Sequence, residues 1–187
     1  MPGAEIYGKN LELLTEVLPQ GARIGVLFDV TQSVHALWLH ATEEAARGLG
    51  VTLVPAGVRR AEDFEHASAV MKHGNATGFV ILGGPLLSSA GNNERINALA
   101  VRSGLAAMWL GRPGAEAGGL MSYGDDGLDR WRRAATYVDK ILKGVNPGDL
   151  PMEQPMKFEL VINLKTAKTL EITMHPHLLV LADEVLQ

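Results

Sequence analysis

The sequence predicts an α/β fold built on a doubly wound parallel sheet, and three observations predict it. Four short apolar runs, at 23–28, 51–56, 78–82 and 106–110, read as strands buried on both faces. Between them, 33–48, 61–73 and 92–103 carry apolar residues at helical spacing. The strict alternation implies βαβ units, whose right-handed crossovers place helices on both faces of one sheet.

In chain order, 6–18 comes first as an amphipathic helix, with Leu11, Leu14, Val17 and Leu18 on one face and Pro19 ending it. The first strand is bounded by Gly21 and Asp29. After Leu110 the Gly- and Pro-rich stretch 111–119 reads as a loop, and 120–123 as a fifth strand and the hinge of the molecule. A helix over 127–143 follows, with Asp125 or Asp126 as its cap, Lys140 and Lys143 against its C-terminal dipole, and Gly144 ending it. Residues 146–151 have turn chemistry. Beyond them, 158–162 reads as a strand with no local sheet to join, Asn163 opens a short helix, and 176–186 reads as a further amphipathic helix.

Composition narrows the function. A chain of 187 residues that is 47% hydrophobic can bury a substantial core. Its net charge of -4, with scattered Lys and Arg and only 5% aromatic residues, argues against nucleic-acid binding. Without cysteine, disulfides, Cys-bound zinc and thiol nucleophiles are excluded. No run reaches the roughly 18 apolar residues of a membrane span. The opening Met-Pro-Gly-Ala-Glu lacks the basic and apolar regions of a signal peptide.

In open parallel sheets ligands bind beyond the carboxyl ends of the strands, so candidate residues follow from the strand ends. After the first strand come Asp29, Thr31, Gln32 and Ser33, ahead of a helix N-terminus whose free amides suit an anionic group. Thr31 or Ser33 acting only as a helix cap fits equally well. After the third strand, Gly83 and Gly84 permit close backbone approach and Pro85 stiffens the turn ahead of Leu86, although a plain turn reads the same way. Gly111 and Arg112 close the fourth strand, where Arg112 suits a carboxylate but is by default a solvated arginine. Ser122 and Tyr123 lie at the hinge, the tyrosine offering an apolar face and a hydroxyl, with simple packing as the competitor. Trp38 and Trp131 lie within helices and read as packing residues.

Enzyme signatures are missing from the sequence. There is no phosphate loop, no dinucleotide glycine fingerprint and no Gly-x-Ser-x-Gly elbow. His175 and His177 flank a proline without a further ligand at metal-binding spacing, and His35, His40, His66 and His73 read as surface or satisfied residues. No cofactor or metal is implied.

Longer blocks carry a family resemblance. They are Glu-Ala-Gly-Gly-Leu-Met-Ser-Tyr-Gly at 116–124, Arg-Arg-Ala-Ala-Thr-Tyr-Val-Asp-Lys-Ile-Leu-Lys-Gly at 132–144, Pro-Gly-Asp-Leu-Pro at 147–151 and Glu-Gln-Pro-Met-Lys-Phe-Glu-Leu-Val-Ile-Asn-Leu-Lys-Thr-Ala-Lys at 153–168. Together they closely resemble the C-terminal half of ABC transporter substrate-binding proteins of the tryptophan/tyrosine-binding type. The stretch 8–19 resembles the helix that leads into the second lobe of that family. The resemblance implies a flavodoxin-like lobe of a type I periplasmic binding protein: 1–20 as lead-in helix and linker, 21–121 as the second lobe, and 122–187 as a hinge return and remnant of a first lobe otherwise missing from this sequence. It also implies a small-molecule ligand, an ABC permease as partner and an extracytoplasmic location. Three segments depart from the pattern. The first loop is Asp-Val-Thr-Gln-Ser at 29–33 where asparagine and proline are usual. The loop at 83–89 is less polar than its counterparts, and Thr-Leu-Glu-Ile-Thr at 169–173 lacks a glycine suited to a helix C-cap.

Two function classes therefore stand: capture of a small organic, amino-acid-like solute between two lobes, or a small flavodoxin-like enzyme or regulatory domain using the same crevice. A third possibility is that the chain binds nothing and persists as a paired remnant; a homo-oligomer is expected, because the strand at 158–162 and the apolar faces of the terminal helices need cover that an absent first lobe would supply.

Overall fold

The computed structural model describes residues 5–151, 153 and 157–187. The opening stretch 1–4, Met152 and the 154–156 part of the block that begins at Glu153 lie outside the described residues. Seven strands form one sheet: β1 (Arg23–Asp29), β2 (Thr52–Val58), β3 (Ala76–Ile81), β4 (Ala106–Trp109), β5 (Met121–Asp125), β6 (Phe158–Asn163) and β7 (Glu184–Leu186). Their order is β2-β1-β3-β4-β5-β6-β7. The pairings from β2 through β5 are parallel, β6 runs antiparallel to β5, and β7 is parallel to β6.

The apolar strand runs are continuous because both faces of the sheet are covered. Ile24, Val26, Val80, Leu82 and Met108 point into a core with α1 (Glu5–Thr15) and α2 (Ser33–Leu49). Their alternating neighbours Leu27, Phe79, Ile81, Ala107 and Trp109 meet α3 (Phe64–His73) and α4 (Ala90–Ser103) on the other face. Two cores with opposite strand parity are what a doubly wound sheet requires.

Three sequence expectations are corrected. The strand at 158–162 is not unpaired: as β6 it pairs with β5 from Met121↔Ile162 to Asp125↔Phe158, and with β7 on its other side. The free edge of β5 accepts the returning chain directly, since an antiparallel neighbour needs no crossover helix. The unpaired-strand argument for a homo-oligomer therefore falls. Secondly, the terminal helix does not reach 186. It stops as α8 (Pro176–Leu181), and β7 follows, because the Asp183 carboxylate accepts from Leu160 N–H at 2.8 Å while Asp183 N–H donates to the Leu160 carbonyl at 2.9 Å. These bonds draw the tail onto the sheet edge. Thirdly, the 111–119 loop contains a short helix, α5 (Arg112–Glu116), with Pro113 in its first turn.

The helix α6 (Gly127–Leu142) begins at Asp126, whose side chain accepts from Leu128 and Asp129 N–H. It closes at Gly144 with paired bonds from Gly144 N to Ile141 O and from Val145 N to Lys140 O. None of its residues is buried. The short α7 (Leu164–Thr169), capped by Asn163, ends the same way, but the residue in the left-handed conformation is Glu171, at φ 57°. A side chain there carries a strain of about 1 kcal/mol that glycine avoids. Glu171→Gly is expected to raise unfolding stability by up to about 0.5 kcal/mol, the strain relief less the extra entropy glycine loses on folding. Urea denaturation at unchanged m-value checks this, and a loss of stability would show that the strain is relieved elsewhere.

Candidate functional site

At the carboxyl ends of β3 and β4 the sheet opens into a cleft of about 970 Å³. One wall is the loop Leu82, Gly83 and Gly84, another the turn from Trp109 through Gly114, and a third the start of α6 with Leu128 and Trp131. Tyr7 of α1 and Trp38 of α2 add aromatic surface. The site therefore combines apolar faces with a charged rim, the general composition of a small-molecule pocket.

The walls are held by local hydrogen bonds. Trp109, buried behind α5, donates from Nε1 to Asn97 Oδ1 at 2.9 Å, and Asn97 donates to the Gly114 carbonyl at 2.9 Å. Gly114 lies so close to the Trp109 ring that a β-carbon would overlap it. The loop after β3 is tied down by Asn92, which donates to Leu86 O at 2.7 Å. Asn93, oriented so that its amide nitrogen donates to Leu87 O at 2.9 Å, anchors it again.

Beneath that loop lies His35, only 1% exposed. Its Nδ1 accepts from the Asp29 backbone N–H at 2.8 Å, so the ring is neutral with its proton on Nε2. That Nε2 has no partner among the described residues and lies against Gly84, where an added β-carbon would be 3.2 Å away. Gly84 adopts φ 93°, so both backbone and space favour glycine. The imidazole stacks near Trp38, with centroids 4.9 Å apart, and Trp38 in turn lies 5.5 Å from the Tyr7 ring. Burial lowers the His35 pKa, outweighing the nearby Asp29 charge.

On the rim, the Arg112 guanidinium donates to both carboxylate oxygens of Glu159, at 3.2 and 3.1 Å, and to Glu184 at 2.6 Å. Those bonds hold its pKa above the ordinary arginine value. Arg130 pairs with Asp125 at 2.7 Å and Lys157 with Asp126 at 2.9 Å. The Lys157 contact and the backbone N–H bonds at the helix cap keep the Asp126 carboxyl below the usual range.

Among the candidate ligand residues named from sequence, the cleft brings together Gly83, Gly84, Gly111 and Arg112. The other candidate ligand residues are not in its wall. Asp29 is buried and its Oδ1 accepts from the Thr31 N–H and hydroxyl, while Thr31, Gln32 and Ser33 are exposed. Neither Thr31 nor Ser33 caps α2; Gln32 occupies the cap position without a side-chain bond. Pro85 is exposed, and Leu86 packs against the second core. Ser122 is buried and its hydroxyl has no partner among the described residues, and Tyr123 stacks on Phe158 at 5.8 Å. Sequence reasoning passed over Tyr7 and Glu159, assigned Trp38 and Trp131 to packing, and read His35 as a surface or satisfied histidine, whereas it is buried with Nε2 unpartnered among the described residues. Trp38 packs partly buried against the first core, whereas Trp131 is 71% exposed. Nothing in the sequence distinguishes His35 from the other histidines, because its burial is created by a loop 49 residues away at Gly84.

Residues 3–186 match the family described as ABC transporter substrate binding protein. A curated relative, the "Tyrosine-binding protein" of Clostridioides difficile strain R20291, is 22% identical over 185 residues, covering 91% of this chain and 51% of the relative. Two crystal structures superpose with a TM-score of 0.85, each over 96% of this chain and 60% of theirs. One is a conserved domain protein from Vibrio cholerae, 24% identical, and the other an ABC domain in complex with L-Trp from Streptococcus pneumonia, 21% identical. The chain thus spans about half the length of the curated relative and three fifths of the solved chains.

The His35 geometry carries a pH dependence. Because the folded pKa lies below the free value of 6.5, the fold favours the neutral ring. This contribution is complete above about pH 6.5 and is lost as pH falls toward and through the folded value. Melting temperature is expected to decline below that pH in the natural chain more steeply than in His35→Asn, whose side-chain oxygen retains an acceptor without titrating. Parallel pH profiles would remove His35 as the cause.

Proposed function

Given that this chain belongs to the ABC transporter substrate-binding protein family, we propose that it forms the ligand-facing lobe of an importer's solute-binding component and takes a small amino-acid-like solute into the cleft. The observation that carries this reading is the joining of aromatic faces (Tyr7, Trp38 and Trp131) with a rim of both charge signs at the strand carboxyl ends. A zwitterion with an apolar side chain needs both kinds of surface. The tyrosine and L-Trp in the relatives' names point to the same chemical class.

On this reading 21–121 is the second lobe, and 122–187 returns toward a first lobe that closes over the ligand by hinge motion. The complete protein then delivers its ligand to an ABC permease outside the cytoplasm. Among the described residues no helix is long and apolar enough to cross a membrane. The work is binding rather than catalysis, in keeping with the family.

Calorimetry and native mass spectrometry of this chain with tryptophan, tyrosine, other amino acids and nucleotides test the proposal. Saturable amino-acid binding is expected, weakened roughly tenfold, or about 1.4 kcal/mol, in Trp38→Ala. Nucleotide binding or turnover in place of amino-acid binding, or no amino-acid binding up to millimolar concentrations, would sink it.

A further inference from the structure

We propose that His35 is a positioning residue for the cleft: its buried Nε2–H fixes the Gly83–Gly84 peptide in the orientation that turns the Gly84 N–H toward a ligand carboxylate. This rests on the proposed capture of an amino-acid-like solute, and gives a role in it to a side chain that lies outside the cleft wall. His35 stands in the first turn of α2, 1% exposed, and the bond from Asp29 N–H to its Nδ1 at 2.8 Å leaves the ring one donor, on Nε2. That donor has no partner among the described residues, and a buried N–H without an acceptor is costly. Asp29, Trp38 and Gly84, which the ring meets, all belong to the parallel lobe, so this lobe alone encloses it.

The acceptor is close at hand. The Nε2 edge of the ring abuts Gly84, 3.2 Å from where a β-carbon would stand, and the Gly84 carbonyl is already taken by Leu87 and Ser88 N–H at 3.1 and 2.9 Å. Upstream, Leu82 N–H is fixed on Leu27 O at 3.0 Å. Between these anchors the Gly83 carbonyl accepts no hydrogen bond among the described residues. Gly83 and Gly84, at φ 75° and 93°, have backbones that turn with little steric limit, so the peptide joining them can rotate while both anchors hold. The C=O and N–H of a trans peptide point in opposite directions. Turning the Gly83 oxygen inward onto His35 Nε2–H therefore turns the Gly84 N–H outward into the cleft that both glycines line. A ligand carboxylate accepts it there, and the arginines of the rim keep the partners they already hold.

Heteronuclear NMR and calorimetry of the full chain with tryptophan and with tyrosine provide the test. Saturation is expected to move the His35 Nε2–H and Gly84 N–H proton resonances downfield together, as each gains an acceptor. His35→Asn keeps an acceptor for the Asp29 N–H but not the donor, and is expected to weaken binding roughly tenfold. His35→Gln, whose amide nitrogen reaches the Nε2 position, is expected to stay within about threefold of the natural chain. Equal losses in the two variants, or a His35 Nε2–H resonance that the ligand leaves in place, overturn the proposal while amino-acid capture stands. No binding of either amino acid by the natural chain overturns this proposal and removes the ligand class on which the capture reading rests.

Discussion

The close passage of β5 beside the end of β4 is the constraint on which the rest of the molecule depends. At Gly124 a β-carbon would fall within the Leu110 carbonyl, so only glycine lets the two backbones meet. With that approach made, Leu120 N–H donates to Ala107 O at 3.0 Å and Asn163 N–H to Leu120 O at 2.9 Å, locking β5 between its parallel and antiparallel neighbours. The antiparallel register places Glu159 opposite Gly124, where its carboxylate reaches Arg112. Arg112 also holds Glu184 of β7. One side-chain-free position thus joins the parallel lobe to the returning chain and fixes the cleft wall between them.

The same network limits what the rim can offer. A ligand carboxylate approaching Arg112 gains only the difference between its own pairing and that of the carboxylate it displaces. Glu116, at 3.5 Å and with its side chain half exposed, is the partner held least. Arg130 and Lys157 are similarly occupied. The aromatic faces of Trp38 and Trp131 carry no such ion pairs, so in the proposed capture apolar contact would contribute affinity while the rim charges would set orientation.

The parallel lobe was legible in the sequence because each of its signals is local. Strand runs, intervening helical periods and the Asp126 and Gly144 helix ends all appear where their residues place them. The pairing of β6 was not legible, because antiparallel addition at an open edge leaves no mark distinguishing it from an unpaired strand. Nor was β7, whose three residues are extended by the Asp183 bonds to Leu160, 23 positions away. In the candidate site, strand-end reasoning reached Gly83, Gly84, Gly111 and Arg112 but overextended to the β1 loop, where Asp29 turns inward to bind Thr31. His35 and Glu159 depend on long-range packing, and sequence alone carries no signal for either.

The helix α6 shows where periodicity and burial part company. Its repeat specifies an apolar face as clearly as that of α1, and its caps fix both ends, yet propensity and capping supply only part of what a helix of this length needs. The remainder comes from whatever covers the stripe. Leu128 and Trp131 belong to the stripe and also line the cleft. Cover of the helix and shape of the ligand site are therefore coupled through the same two side chains: a surface that seats Trp131 also sets how far it stands from Trp38 across the opening.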